Sequence, residues 1–522
     1  MANDRKPEIS QEVNSINARR AKQAAVSIVA WRPIRQIVGA VVLLLLVRSM
    51  DESSFGAYQV YYSIIGLLAT GASFGISNTL ARYLPEFFNQ NKFYLANRIV
   101  RTARWLRLGT NILVLSIIWL FWNEISSFLN IVEFADSYFI FAAVAIAYFQ
   151  ARLLVDVFAS YLMQRTALIL QTLLPAVKLI GYLIAVKLGI TVTSVLVADF
   201  VAYVLMFFGL SFSYSRRVRS DGGPIAFSKD ESRRMIRYGF FYNFNDMGNI
   251  PVGNKVDTFF IASIIDVASV GAYALGNRVL AIVRSLMPHR FFLDVIRPLF
   301  FTLDRVDDSQ RVTMYFQLLV KLSYMFLVPA TAYVAIVHRD IFEIVFGGRF
   351  QEFSSLLIWL FCFASLTAFA QPLALVIQLH EKAAIILMAK LSGLYNILAL
   401  LALVPSYGVY GAAVATGSAE MLRQAFQWWF VRHDASFRNM GKFFGLTITG
   451  WLIFYALLAW AQNYIHSAIW RLIFSTIFGA ICWLIYIRLP LFNHGERSAI
   501  RRAAGPRAKK MLTLIGILKP ET

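Results

Sequence analysis

The residues best placed to do chemistry lie in one stretch, 236–284, IRYGFFYNFNDMGNIPVGNKVDTFFIASIIDVASVGAYALGNRVLAIVR. Its aromatic and aliphatic background is that of a membrane helix, yet it carries Asn243, Asn245, Asp246, Asn249, Lys255 and Asp257. An ionisable group in hydrocarbon costs roughly 3 kcal/mol by insertion scales, and more by other measures. A helix with this many must turn them toward one another or toward a water-filled cavity. Pro251 removes a backbone donor and Gly253 loosens the helix, so a bent or broken span lining a polar site is expected here. The chemistry of such a site is the binding of a charged or sugar-bearing molecule. The alternative is a set of polar contacts that only holds helices together.

Other chemistries lack their residues. The six His are scattered without HExxH or comparable spacing, so no metal site is expected. Cys362 and Cys482 fall in apolar windows without a CxxC partner, so no disulfide framework is implied. The glycine-rich phosphate loop of ATP-driven pumps is missing, as are the GxSxG elbow and the kinase motif set. No cofactor is expected, and no enzymatic activity.

The elements that must position the polar stretch follow from composition. Hydrophobic residues make up 58% of the 522 and charged residues 15%, with a mean hydropathy of +0.60. That is the composition of an all-α integral membrane protein. Apolar runs of bilayer length recur at 23–47, 57–79, 108–129, 138–160, 166–187, 190–212, 238–263, 268–287, 314–337, 353–379, 383–404, 408–431, 443–464 and 467–487. The reading is about 14 transmembrane helices.

The net charge of +21 reads as membrane topology rather than nucleic-acid binding. With the N-terminus inside, the cytoplasmic connections and tails hold about 34 Lys and Arg, against Arg48, Lys187, Arg339 and Arg349 outside. Both termini are therefore expected in the cytoplasm. The expected division is a cytoplasmic arm (1–22), an N-lobe of six helices (23–214), a linker with Gly222-Gly223-Pro224 (215–237), a C-lobe of six helices (238–431), helices thirteen and fourteen (443–487) and a basic tail (488–522). The apolar run at 511–518 could lay that tail along the anionic inner leaflet, or the tail could be solvated and merely fix topology. Trp105, Trp119, Trp122, Trp428 and Trp429 are expected in interfacial belts.

The two lobes have a repeat behind them. Gly56-Ala57-Tyr58 opens the second span and Gly271-Ala272-Tyr273 opens the eighth, 215 residues on, each after a short acidic outer turn. That period matches a six-helix unit used twice, a common plan for transporters whose substrate lies between the repeats.

MDESSFGAYQVYYSIIGLLATGASFGISNTLARYLPEF (50–87) resembles the opening helical hairpin of the polysaccharide repeat-unit flippases, within the multidrug/oligosaccharidyl-lipid/polysaccharide exporter superfamily. DTFFIASIIDVASVGAYALGNRVL (257–280) is similar to their second-lobe counterpart, and YGVYGAAVATGSAEMLRQAFQ (407–427) to the helix that closes that lobe. The resemblance covers most of 23–431. Such flippases commonly have twelve helices, and fourteen is the number in the related flippase for the peptidoglycan precursor. The resemblance implies two six-helix lobes that open alternately to the two sides of a bacterial inner membrane. It also implies an undecaprenyl-diphosphate-linked oligosaccharide as substrate, with membrane lipids around it and polysaccharide polymerase and export machinery as candidate partners. A monomer that binds no nucleic acid is expected.

Diphosphate oxygens leaving water must be matched by fixed positive charge. Arg32 and Arg35 in the first span, Lys178 in the fifth, Lys255 in the seventh, Arg278 in the eighth, Lys321 in the ninth and Lys390 in the eleventh are the candidate cations, with Asn249 as a polar neighbour. Arg32 and Arg35 could instead snorkel to the inner headgroups. Asp199, Asp246 and Asp257 are candidates for ion coupling, because a buried carboxylate can carry a proton or Na⁺. Simple neutralisation is the alternative, Asp257 with Lys255 or Arg278 for example. Arg152/Asp156 and Glu420/Arg423 read as intrahelical neutralising pairs. A cation-coupled multidrug exporter of the same fold would favour acids and aromatics in its cavity, and a membrane enzyme would favour a long outer loop. The cationic excess at depth argues against the exporter, which stays the alternative, and the short outer connections argue against the enzyme.

Overall fold

The structure is a computed structural model that describes residues 31, 33–90, 92–161, 164–217, 228–286, 309–503 and 513. Arg32, the arm 1–22, Gly222-Gly223-Pro224 and all of the 511–518 run except Thr513 lie outside the described residues. Among the described residues the regular elements are all helical. In a bilayer each backbone N–H must find its partner within the chain, and a helix achieves this locally.

By length and composition, nine helices among the described residues can cross a membrane, or ten when one bent pair is taken as a single span. The 48-residue stretch Ala384–Val431 is one of the nine and covers two of the expected spans. Its chain reverses at Gly408 (φ 57°, ψ −138°), and a Cβ on Gly411 would lie 2.3 Å from the carbonyl oxygen of Leu403.

The chain divides into two compact units, 1–250 with 266–271, and 251–265 with 272–522. The first unit contains α1 (33–49), α2 (Glu52–Gly71), α3 (Ile76–Asn89), α4 (Phe93–Leu120), α5 (Trp122–Phe128), α6 (Tyr138–Ser160), α7 (Gln164–Leu188), α8 (Val192–Arg217) and α9 (Lys229–Met247). Asp51 caps α2 by accepting from the Ser54 N–H at 2.8 Å, and Ser228 with Glu231 forms a capping box on α9. α2 and α3 meet at 50°, where Gly75 takes φ 74°. A Cβ there would lie 1.9 Å from the Gly239 carbonyl oxygen, so the bend and the contact with α9 both require glycine. Leu80, Leu84, Ala96, Val100 and Val157 form a core where α3, α4 and α6 meet, and Leu154, Phe158, Met206 and Leu210 form another between α6 and α8.

Trp122 is buried against Tyr61, Tyr138 and Phe141 and donates its indole N–H to the Ala135 carbonyl at 3.1 Å, just beyond the end of α4 at Leu120.

The second unit contains α10 (Asn254–Ile264), most of α11 (Val267–Leu286), α12 (Ser309–Asp340), α13 (Leu356–Leu366), α14 (Ala370–Leu379), α15 (Ala383–Met388), α16 (Ser392–Val431), α17 (Gly441–Gln462), α18 (Ala468–Arg488) and α19 (His494–Ala503). The polar stretch is broken, as Pro251 and Gly253 predict: α9 ends at Met247 and α10 begins at Asn254. α17 and α18 pack on α12 through Phe443, Trp451, Phe454 and Tyr486. The Arg471 guanidinium clamps Asp340 with contacts of 2.5 to 3.3 Å. Only 6% of the apolar window of α18 is buried, so its outer face is left for lipid.

Candidate functional site

Two buried carboxylates, one in each unit, organise the polar interior. In the first unit Asp199 on α8 accepts from Tyr58 at 3.0 Å, and from Tyr62 and Tyr182. Lys178 on α7 stands 2.8 Å from Asp199 Oδ1 and donates to Tyr62 at 2.9 Å and Tyr203 at 3.3 Å. An ammonium has three donors, and these partners occupy them. The structure thus joins two residues expected in different roles, a substrate cation and an ion-coupling acid, into one neutral pair ringed by four tyrosines. Its desolvation is offset by hydrogen bonds on every side.

In the second unit Asp257 on α10 is fully buried. It accepts from Tyr273 on α11 at 2.5 Å, and Thr416 on α16 lies 2.8 Å from both of its oxygens. Thr416 also reaches Asn396 Oδ1 at 3.2 Å, and Asn396 donates to the Pro251 carbonyl at 2.7 Å. Among the described residues no Lys, Arg or His pairs with Asp257.

The remaining predicted residues divide by partner. Lys321 on α12 is buried, 2.8 Å from both Glu496 oxygens, and Glu496 also completes the cap of α19 with Asn493. Arg35 donates to Gln171 at 2.8 Å. Asp246 accepts from Asn78 at 2.8 Å, and Asn243 lies 2.6 Å from the Ser73 hydroxyl, so α9 is tied to α2 and α3 by its amides and acid. Lys255, Arg278 and Asn249 are exposed, and Lys390 is half-buried. Lys255 and Arg278 have no pairing side chain among the described residues.

A cavity of about 330 Å³ lies within the second unit, lined by Asn277, Gln371, Glu420, Arg423, Gln424 and Phe363 among others. Tyr273 and Thr416 line it too, so it reaches the hydroxyls that hold Asp257. Glu420 and Arg423 pair at 3.1 Å as their spacing predicts, but on a helix face turned to this cavity. Sequence reasoning passed over Gln371 and Gln424. The signal for Gln424 was its place one residue beyond the Glu420/Arg423 pair, in a helix otherwise rich in small residues.

Residues 22–302, just over half the chain, match the family described as "Polysaccharide biosynthesis protein". The chain belongs to the polysaccharide biosynthesis protein family. Among curated proteins no sequence matches it. This family member is similar in fold to a solved structure of the lipid II flippase MurJ in an inward closed conformation. The TM-score is 0.71 at 14% identity, over 88% of this chain and 98% of that one. It is also similar to a multidrug resistance MATE family transporter of the MOP superfamily in an inward-facing conformation, with a TM-score of 0.58 at 13% identity over 77% and 95% of the two chains. A Vibrio cholerae MATE transporter gives 0.53 at 14% identity over 81% and 99%. At these identities the likeness is one of fold: this polysaccharide biosynthesis protein has the fold of the MOP superfamily.

Proposed function

We propose that the chain is a flippase carrying undecaprenyl-diphosphate-linked oligosaccharide repeat units across a bacterial inner membrane by alternating access, for exopolysaccharide, capsule or O-antigen assembly. Membership of the polysaccharide biosynthesis family is the observation that carries this reading, and the MOP fold supports it. Lys255 and Arg278, exposed and without a pairing side chain among the described residues, are the cations proposed to meet the diphosphate, with Asn249, Arg35 and Lys390 as further contributors. Lys178 and Lys321 are left out of that role because their charges are matched within the fold.

For coupling, Asp257 is the proposed carrier of a proton or Na⁺. It is a buried carboxylate held by hydroxyls and without a cation among the described residues, whereas Asp199 is already neutralised by Lys178.

A peptidoglycan-precursor flippase is the second reading, favoured by one observation: the fold likeness to the lipid II flippase extends over 88% of this chain. The test of the first reading is to replace Lys255 and Arg278 singly with Ala and measure surface glycan and membrane level together. Loss of glycan with normal protein level is expected; wild-type export by both variants would sink the cation assignment.

A further inference from the structure

Gln424 on α16 is 1% exposed, and neither atom of its carboxamide meets a hydrogen-bond partner among the described residues. A buried amide with its hydrogen bonds unmade is costly, and such groups are rare enough in folded proteins to call for a reason. Gln424 lines the cavity in the second unit, beside Gln371, Asn277, Glu420 and Arg423. The Arg423 Nε–H is also buried and without a hydrogen-bond partner among the described residues. Two neighbouring residues with unmet hydrogen-bonding capacity thus line a space of about 330 Å³.

The lining identifies a class of ligand. Each carboxamide offers donors and an acceptor, and the Glu420–Arg423 pair adds an anionic acceptor beside a cationic donor. A sugar hydroxyl gives and takes hydrogen bonds and is met by such a mixture. A diphosphate offers acceptors alone and would face the Glu420 carboxylate. The same lining is apolar in part: the Phe363 ring is seated on Gly417, where a Cβ would come within 2.2 Å of it, and Leu280 and Leu360 also line the cavity. A pyranose likewise has hydroxyl edges and C–H faces. The volume lies at the small end of the roughly 300–1,000 Å³ of ligand pockets, which suits a ring rather than a chain of rings.

We propose that this cavity is a subsite for one neutral sugar residue of the transported head group, recognised by Gln424 and Gln371 and oriented by the Glu420–Arg423 pair. The proposal rests on the reading of the chain as a carrier of lipid-linked glycans, and it separates sugar recognition from diphosphate recognition at Lys255 and Arg278.

The test uses the full chain in lipid nanodiscs and native mass spectrometry. Two probes compete for it: undecaprenyl diphosphate without sugar, and the lipid-linked glycan fraction extracted from a strain that lacks this chain. The wild type should prefer the glycan-bearing lipid. Gln424→Leu should reduce that preference by about tenfold or more while leaving sugar-free lipid bound, because a site built to hydrogen-bond a hydroxyl discriminates strongly by it. Gln371 is exposed, so Gln371→Leu tests the same point without risk to the core and should reduce the preference several-fold. Full preference in Gln371→Leu, or equal binding of both lipids by the wild type, would overturn the subsite and leave the carrier reading standing. A wild type that binds neither lipid would overturn the carrier reading, and the subsite with it.

Discussion

Tyr58 and Tyr273, 215 residues apart in matching Gly-Ala-Tyr motifs, each donate a hydroxyl hydrogen bond to a buried aspartate, Tyr58 to Asp199 at 3.0 Å and Tyr273 to Asp257 at 2.5 Å. The repeat visible in the sequence is thus a repeat of a polar device. The surroundings differ. In the first unit Lys178 neutralises the acid, and in the second the acid meets the Thr416 hydroxyl, itself in contact with Asn396.

This difference predicts opposite behaviour on neutralisation. Asp199→Asn leaves Lys178 buried without its counter-charge, a loss of about 3–5 kcal/mol. The protein should fall sharply in membrane abundance, and the double change Asp199→Asn, Lys178→Met should recover much of it, as measured by immunoblot and melting temperature. Equal abundance in the single and double variants would argue against the pair as a structural unit.

Asp257→Asn removes charge without stranding a cation, so the protein should persist while export falls. A coupling free energy of about 1–3 kcal/mol corresponds to roughly 5–150-fold in substrate affinity. Glycan export measured with and without a proton or Na⁺ gradient would show it: the variant should lose the gradient dependence. Export that still follows the gradient would exclude Asp257 as the coupling group.

Lys321 and Glu496 predict a folding defect rather than a transport defect. Lys321→Ala strands the buried Glu496 of α19, with a cost again of about 3–5 kcal/mol. Limited proteolysis should then release the C-terminal segment. Wild-type resistance with lost export would return Lys321 to the substrate cations.

The broken seventh span and the helical class were legible because Pro251, Gly253 and runs of apolar residues act locally. Charge partners were not. Lys178 and Lys321 look like unpaired cations in the sequence, and their acids lie 21 and 175 residues away on other helices. Asp257 was open to pairing with Lys255 or Arg278, its neighbours by sequence, yet its hydrogen bonds come from Tyr273 and Thr416. The burial of Trp122 was not legible either, because nothing in the sequence shows that α4 stops two residues before it. The cavity around Gln424 depends on how α11, α13 and α16 face one another, which no single segment states.

Glycines at close contacts give a prediction on stability. Gly417→Ala would place a methyl within 2.2–2.5 Å of the Phe363 ring and should cost about 1–3 kcal/mol through overpacking. Gly441→Ala, with nothing near its Cβ, should cost less than half as much. Melting temperatures in detergent compare the two, and equal shifts would contradict the packing at Phe363.

The most direct measurement is the lipid content of a strain lacking this chain, extracted and analysed by mass spectrometry for polyprenyl-diphosphate-linked glycans. The flippase reading predicts build-up of one oligosaccharide repeat unit together with loss of the surface polymer. An unchanged pool of lipid-linked glycan, with intact surface polymer and greater sensitivity to cationic drugs, would contradict it and point to drug export.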